Sequence, residues 1–201
     1  MSPEVEQAAF RHAVGQFASG IVVVTTPSGH AMTVSAFSSV SLDPPLVLFC
    51  AEKVARFHDA VLDGGSWAVS ILAEDAEKTA RWLATRGRPL ESQFDGLPHH
   101  RAPATGAPVL DDALAVLECT TQSVHYAGDH SIVVGRVVAV TGPASVPARG
   151  PLLHHAGRYR RLRPLRSPLP AWPFSPAVTR PHDHVQKESG NDANLVTGYS
   201  E

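Results

Sequence analysis

The stretch AMTVSAFSSVSLDPPLVLF, Ala31 to Phe49, decides how the rest of this chain reads. From Met32 to Leu42 apolar and hydroxyl residues alternate: Met32, Val34, Ala36, Val40 and Leu42 share one parity, and Thr33, Ser35, Ser39 and Ser41 the other. Successive side chains of a strand point to opposite faces, so the pattern predicts one strand with a face on a core and a row of hydroxyls on the other. Phe37 and Ser38 swap places in it, which predicts a bulge or a point where an aromatic meets a ligand. Asp43-Pro44-Pro45 stops the strand, because proline cannot donate to a ladder and restricts the residue before it. Leu46 to Ala51 then runs apolar without a break, the pattern of a strand covered on both faces. A buried strand beside a polar-faced one can supply the floor and wall of a small-molecule site.

Working outward, Ser2-Pro3-Glu4 is a helix start, and Phe10, Ala13, Val14 and Phe17 recur at helical spacing, so this helix is expected to lay a face on the core and end at Gly20. Ile21 to Thr26 is β-branched and reads as a strand, with Pro27-Ser28-Gly29 as its turn into the central stretch. Downstream, Val54, Phe57, Val61 and Leu62 mark a helix from Glu52 to Gly64, and Ser66 to Leu72 is another strand. A second helix of this part spans about Glu74 to Thr85, acidic at its start and basic at its end. Residues 86–111 form a long connection rich in Gly, Pro and His, expected to be a functional lid or disordered. Ala113 to Ala127 and Ser131 to Thr141 are two long strands joined at Gly128-Asp129-His130. Leu152 to Leu162 closes an ordered domain of residues 1–162, and the Pro-rich segment 163–201 is expected to be a poorly ordered tail. The tally is a mainly β chain of about six mostly antiparallel strands and three short helices. Such a sheet avoids exposed edges most simply by closing into a small barrel.

The chain has 201 residues, 43% of them hydrophobic, which suits one ordinary domain. Its formal charge of -2 and scattered Lys and Arg offer no basic footprint for nucleic acid. No apolar run reaches the length of a membrane span and the first residues are acidic, so a soluble, cytoplasmic protein is expected. The two cysteines, Cys50 and Cys119, sit in apolar strand patterns and are expected to be free thiols.

GxGxxG, GxxxxGK[ST], HExxH, CxxC and GxSxG are all absent, so an enzyme on this chain would use the chemistry of a bound cofactor. The hydroxyl row reads either as a solvated strand face or, with Lys53 and Arg56 at a helix start nearby, as the wall of an anion site. His130 is either a turn residue or a ligand contact at a barrel mouth. The pairs His99-His100 and His154-His155 and the trio His182-Asp183-His184 lack a spacing that completes a metal set, and no metal is expected. Arg158-Tyr159 reads as packing at the core edge or as a clamp on a second ligand.

Four segments together carry a resemblance: FRHAVGQFASGIVVVTT (Phe10 to Thr26), MTVSAFSSVSLDPPLVLFC (Met32 to Cys50), LECTTQSVHYAGDHSIVVGRV (Leu117 to Val137) and LLHHAGRY (Leu152 to Tyr159). The chain resembles the flavin reductase family of the FMN-binding split-barrel class, the small reductase components of two-component monooxygenases. The resemblance implies a six-stranded antiparallel split β-barrel of Greek-key type with a few short flanking helices. It also implies hydride transfer from NADH or NADPH to FMN or FAD, a homodimer with flavin near the subunit interface, and a partner monooxygenase fed with reduced flavin. Carried over residue by residue, it implies that Met32, Thr33, Ser35 and Ala36 hold the flavin together with Cys50, Ala51 and Glu52. Arg56 and Phe57 then take the phosphate end, and Arg81-Trp82 lies along the cofactor. His130 is the catalytic candidate and borders the nicotinamide with Arg158-Tyr159.

Family members commonly show Asn-Ser where this chain has Ser35-Ala36, Ser and Thr where it has Ala55 and Phe57, and Phe where it has Trp82; the changes remove hydrogen-bonding groups around ribityl and phosphate. Two other functions fit the same barrel: a non-catalytic flavin-binding or interaction module, and a flavin oxidase acting on a substrate other than a nicotinamide.

Overall fold

In the computed structural model, which describes residues 5–142 and 149–162, the chain begins with helix α1 (Gln7–Val14) and strands β1 (Ser19–Gly20), β2 (Val22–Thr25), β3 (Ala31–Val34), β4 (Phe37–Leu42) and β5 (Pro45–Glu52). Helix α2 (Arg56–Gly64), strand β6 (Ser66–Ile71) and helix α3 (Glu77–Ala84) follow. The remaining strands are β7 (His99–Arg101), β8 (Pro108–Leu110), β9 (Ala115–Ala127), β10 (His130–Thr141), β11 (Leu153–His155) and β12 (Arg158–Arg160). One sheet of seven strands runs in the order β3-β2-β6-β9-β10-β5-β4, and its pairings are all antiparallel. β1, β11 and β12 form a second sheet, and β7 and β8 a third. The chain is mainly β with three short helices among the described residues, as expected. The expected count of six strands is corrected to seven in the main sheet, which hydrogen bonds do not close.

The single strand expected from Met32 to Leu42 is in fact two, β3 and β4, at opposite edges of the main sheet and separated by Ser35 and Ala36. Leaving the ladder at Ser35-Ala36 resets the side-chain phase. Phe37 therefore falls opposite Phe49 and packs on the core, while Ser38 falls opposite Leu48 on the other face. A bulge follows between Ser39 and Ser41. The hydroxyls form no continuous row: Thr33 turns to α3 and donates to the Ala80 carbonyl at 2.8 Å, whereas Ser35, Ser38 and Ser39 are exposed.

β5 is not covered on both faces by its own chain. Val47, Phe49 and Ala51 are buried, while Leu46, Leu48 and Cys50 between them are half-buried. β2, like the middle of β6, is buried on both faces: Val22 and Val24 belong to the main core, and Val23 to a second core shared with Ala80 and Leu83 of α3. The main core centres on Phe49, whose ring meets Trp67 edge-on at 4.8 Å and Phe57 at 6.1 Å. A Cβ on Gly135 would lie 2.2 Å from the Trp67 ring, so only glycine lets β10 pass over the indole.

Helix α1 departs from its expected packing. It ends at Val14 rather than Gly20, none of its residues is buried, and Phe10 and Phe17 are 60% and 79% exposed. Its expected start at Ser2-Pro3-Glu4 and the segment 163–201 lie outside the described residues. α2 starts at Arg56, buries Phe57 and Val61, and stops at Gly65, whose φ of 62° suits glycine. The β9–β10 hairpin turns on two residues, Gly128 and Asp129, with Ala127 opposite His130.

The long connection 86–111 is built into the fold. It carries the β7–β8 pair, and Gln93 is fully buried, donating to the Gly29 carbonyl at 2.5 Å. The buried Glu118 carboxylate accepts from the Ala104 and Thr105 amides at 2.8 and 2.7 Å, which anchors the β7–β8 turn. No helix among the described residues is long and apolar enough to cross a membrane.

Candidate functional site

Three segments meet around a cleft of about 510 Å3. The β2–β3 turn and β3 bring His30, Ala31, Met32 and Thr33; the turn is closed by the Thr26 amide donating to the His30 carbonyl at 2.9 Å. The end of β5 and the first turn of α2 bring Glu52, Val54, Ala55, Arg56 and Phe57. The last turn of α3 and the loop after it bring Leu83 to Arg88, Leu90 and Gln93. Ala55 precedes α2 with no side-chain cap, so the first amides of that helix are left without a protein side chain to receive them.

The charge of this lining is lopsided. Arg56, Arg86 and Arg88, with His30 beside them, face a single carboxylate among the described residues, Glu52. Arg88 is a scaffold: its Nε donates to Gln93 Oε1 at 3.2 Å, one terminal nitrogen to the Thr85 carbonyl at 2.9 Å, and the other to the Ala31 carbonyl. Arg56 donates to the Arg88 carbonyl at 2.8 Å, and Arg86 places one terminal nitrogen on both Glu52 oxygens at 2.8 and 2.6 Å. Burial lowers the pKa of His30, and the Arg56 and Arg88 guanidiniums lower it further. Arg88 is lowered by burial and by Arg56. Cations crowded until they repel one another's protons favour an anion between them.

A flavin would need an apolar wall for its ring system and cations for its phosphate. Met32, Val54 and Phe57 supply the first, and the arginines the second. The volume lies within the roughly 300–1,000 Å3 usual for small-molecule sites. The residues present therefore fit the group.

Of the residues expected at a flavin site, Met32, Thr33, Glu52, Arg56 and Phe57 line this cleft together. Ser35 and Ala36 are exposed in the link between β3 and β4, with the Ala36 carbonyl accepting from the Cys50 amide at 3.1 Å. Cys50 is half-buried on the outward face of β5, and Ala51 points its methyl into the main core, which leaves only its backbone for a ligand. Arg81 pairs with Glu77 and stacks over the Tyr159 ring at 4.9 Å; Trp82 donates from Nε1 to the Gln93 carbonyl at 2.7 Å. Arg158 is exposed on β12. His130 sits opposite Glu52 in the β5–β10 ladder, its Nδ1 bonded to Asp129 Oδ1 at 2.7 Å.

Sequence reasoning missed His30, Arg86, Arg88 and Gln93. The available signal was the Arg-Gly-Arg triplet at residues 86–88, directly after a helix, inside a connection whose length was read as either a functional lid or disorder.

Other chemistries find less support. Burial and the neighbouring Glu118 carboxylate push the Cys119 thiol up to about 12, and burial raises Cys50, so neither is a ready thiolate. His58 bridges Ser131 Oγ and Asp59 Oδ1, each at 2.9 Å, yet Ser131 has no exposed surface to offer a substrate. Among the described residues no group of three His, Cys, Asp or Glu could hold a metal ion; His182 and His184 lie outside them. His99 stacks on Phe94 and His100 bonds Asp111, which uses both locally.

Comparison with known proteins matches residues 14–163 to the flavin reductase like domain. The reductase subunit HsaB of a flavin-dependent monooxygenase of Mycobacterium tuberculosis is 35% identical over 177 residues, covering 86% of this chain and 91% of the relative. Among solved structures, the NADH:FAD oxidoreductase SgcE6 of Streptomyces globisporus superposes with a TM-score of 0.75 at 36% identity, over 82% of this chain and 99% of that one. BorF, the flavin reductase component of a bacterial two-component tryptophan halogenase, gives a TM-score of 0.74 at 41% identity, over 80% of this chain and 100% of that one. This chain belongs to the family of flavin reductase like domains.

Proposed function

We propose that this protein is an NAD(P)H:flavin oxidoreductase that delivers reduced FMN or FAD to a partner monooxygenase. The observation that carries the reading is the cleft, which joins an apolar wall to a surplus of cations in a chain of this family. Bound flavin would supply the hydride acceptor for a nicotinamide, chemistry that needs no protein group of unusual pKa.

The task left to the chain is to bind and orient. Met32, Thr33 and Phe57 form the wall against which a ring system rests, and Arg56 holds the phosphate end beside the uncapped first turn of α2. Ser35, Ala36, Cys50 and Ala51 contribute through backbone at the edge of β5. Arg81, stacked on Tyr159, and Trp82, fixed to Gln93, make a rigid border, with Arg158 beyond it. His130 is the catalytic candidate: Asp129 fixes its imidazole, and its place opposite Glu52 sets it beside the cleft. Holding two rings in reactive register accounts for large rate factors without acid–base catalysis.

The working unit is a homodimer. Leu46, Leu48, Cys50, Ile132 and Val134 share the outward face of β5 and β10, half-buried in the single chain, although Leu46 to Ala51 has the composition of a strand covered twice. A second copy covers that face. The seven-stranded sheet is the wall of a split barrel. Its two edge strands are joined through only Ser35 and Ala36, a span of about 10 Å at most, so the sheet curls until its edges adjoin. The domain ends near residue 162, and both cysteines as free thiols suit the cytoplasm.

The test is nicotinamide oxidation under air as a function of added FMN or FAD. Turnover that saturates with free flavin is expected, and His130→Ala should slow it while flavin affinity holds. Flavin binding without any nicotinamide oxidation would replace this reading by a binding module or by an oxidase of another substrate.

A further inference from the structure

We infer that Arg86 is a phosphate ligand held in reserve by Glu52, and that this pair makes the cleft selective for phosphorylated flavins over riboflavin. The inference rests on the reductase reading of the same cleft. Three arginines line it, and their hydrogen bonds separate their roles. Arg88 places Nε and both terminal nitrogens on Gln93, Thr85 and Ala31, so its guanidinium is held by three protein acceptors and shapes the cleft. Arg56 has one terminal nitrogen on the Arg88 carbonyl and no other side-chain hydrogen bond among the described residues. Arg86 likewise commits a single terminal nitrogen, to Glu52.

The Arg86 side chain is 77% exposed, so water screens its pair with Glu52 and makes the pair easily exchanged. A phosphate can accept a forked pair of donors from a guanidinium, where Glu52 receives only one nitrogen. Arg56 and Arg86 both line the cleft, so a phosphate entering between them meets donors from two sides. Glu52 then sets the threshold. It neutralises Arg86 while the cleft is empty and competes with the incoming anion. A flavin without phosphate offers no partner for Arg86 and leaves the pair closed.

The experiment is binding of riboflavin, FMN and FAD, read by quenching of flavin fluorescence, to the wild-type protein and to Arg86→Gln and Glu52→Gln. Arg86→Gln should weaken FMN and FAD by about tenfold and leave riboflavin unchanged. Glu52→Gln should tighten FMN and FAD a few-fold relative to riboflavin, because it frees Arg86. Added salt should weaken FMN less in Arg86→Gln than in the wild type. Equal weakening of riboflavin and FMN in Arg86→Gln, or unchanged FMN affinity, overturns the assignment while the reductase reading stands. A wild-type protein that binds none of the three flavins overturns both.

Discussion

Strands β2 and β5 both carry unbroken apolar runs, Val22 to Val24 and Leu46 to Ala51, and the two runs end up in different surroundings. All four residues of β2 are buried, with the main core on one side and α3 on the other. In β5 burial alternates, and every second residue meets only part of its own chain. An apolar run reports that a strand will be covered, without saying by what. For β2 the cover is a helix of the same chain. For β5 we assign it to a second copy.

The largest expected effect is on the inward face of β5. Phe49 is fully buried against Trp67 and Phe57, so Phe49→Ala should cost about 3–5 kcal/mol in denaturant unfolding. Its neighbour Leu48 points the other way, and Leu48→Lys should leave the chain folded while moving it from dimer to monomer in sedimentation. A Leu48→Lys protein that stays dimeric would show that the outward face is not the contact.

Val23→Ala and Val24→Ala, on opposite faces of β2, should each cost about 1–3 kcal/mol, independently of protein concentration. Sharply unequal losses would mean that α3 covers its side of β2 only loosely.

The smallest effect is a pH dependence. His30 is harder to protonate in the folded chain than in the unfolded one, because of burial and then Arg56 and Arg88. Below its ordinary value of 6.5 the unfolded chain therefore takes up the proton first, and stability falls as pH drops. The contribution is complete above 6.5. His30→Gln should flatten the fall of the thermal midpoint as the pH drops below 6.5. An anion in the cleft offsets the arginines, so FMN should bind with proton uptake over the same range.

Much of the fold was legible because its signals are local. Gly128-Asp129 between two long β-branched runs placed the β9–β10 hairpin within a residue or two, and β2 was plain from Val22–Thr25. The break at Ser35-Ala36 was not, since parity across it continues as if the strand did; only the Phe37-Ser38 swap hinted at a change of phase. Helix α1 has an amphipathic pattern that no surface of its own chain satisfies among the described residues. The cleft was half legible. Met32, Thr33, Glu52, Arg56 and Phe57 lie on predicted elements or at their ends. Arg86, Arg88 and Gln93 reach it through contacts such as Arg88 to Ala31 and Gln93 to Gly29, across 57 and 64 residues. No local pattern encodes those.

The most direct test of the proposed activity is to mix the protein with FMN or FAD and NADH without oxygen and follow the loss of the oxidised flavin's visible absorbance. Bleaching far faster than the same mixture without protein, slowed in His130→Ala, is the expected result. Bleaching no faster with protein than without it, at concentrations where flavin is bound, would contradict the reductase assignment.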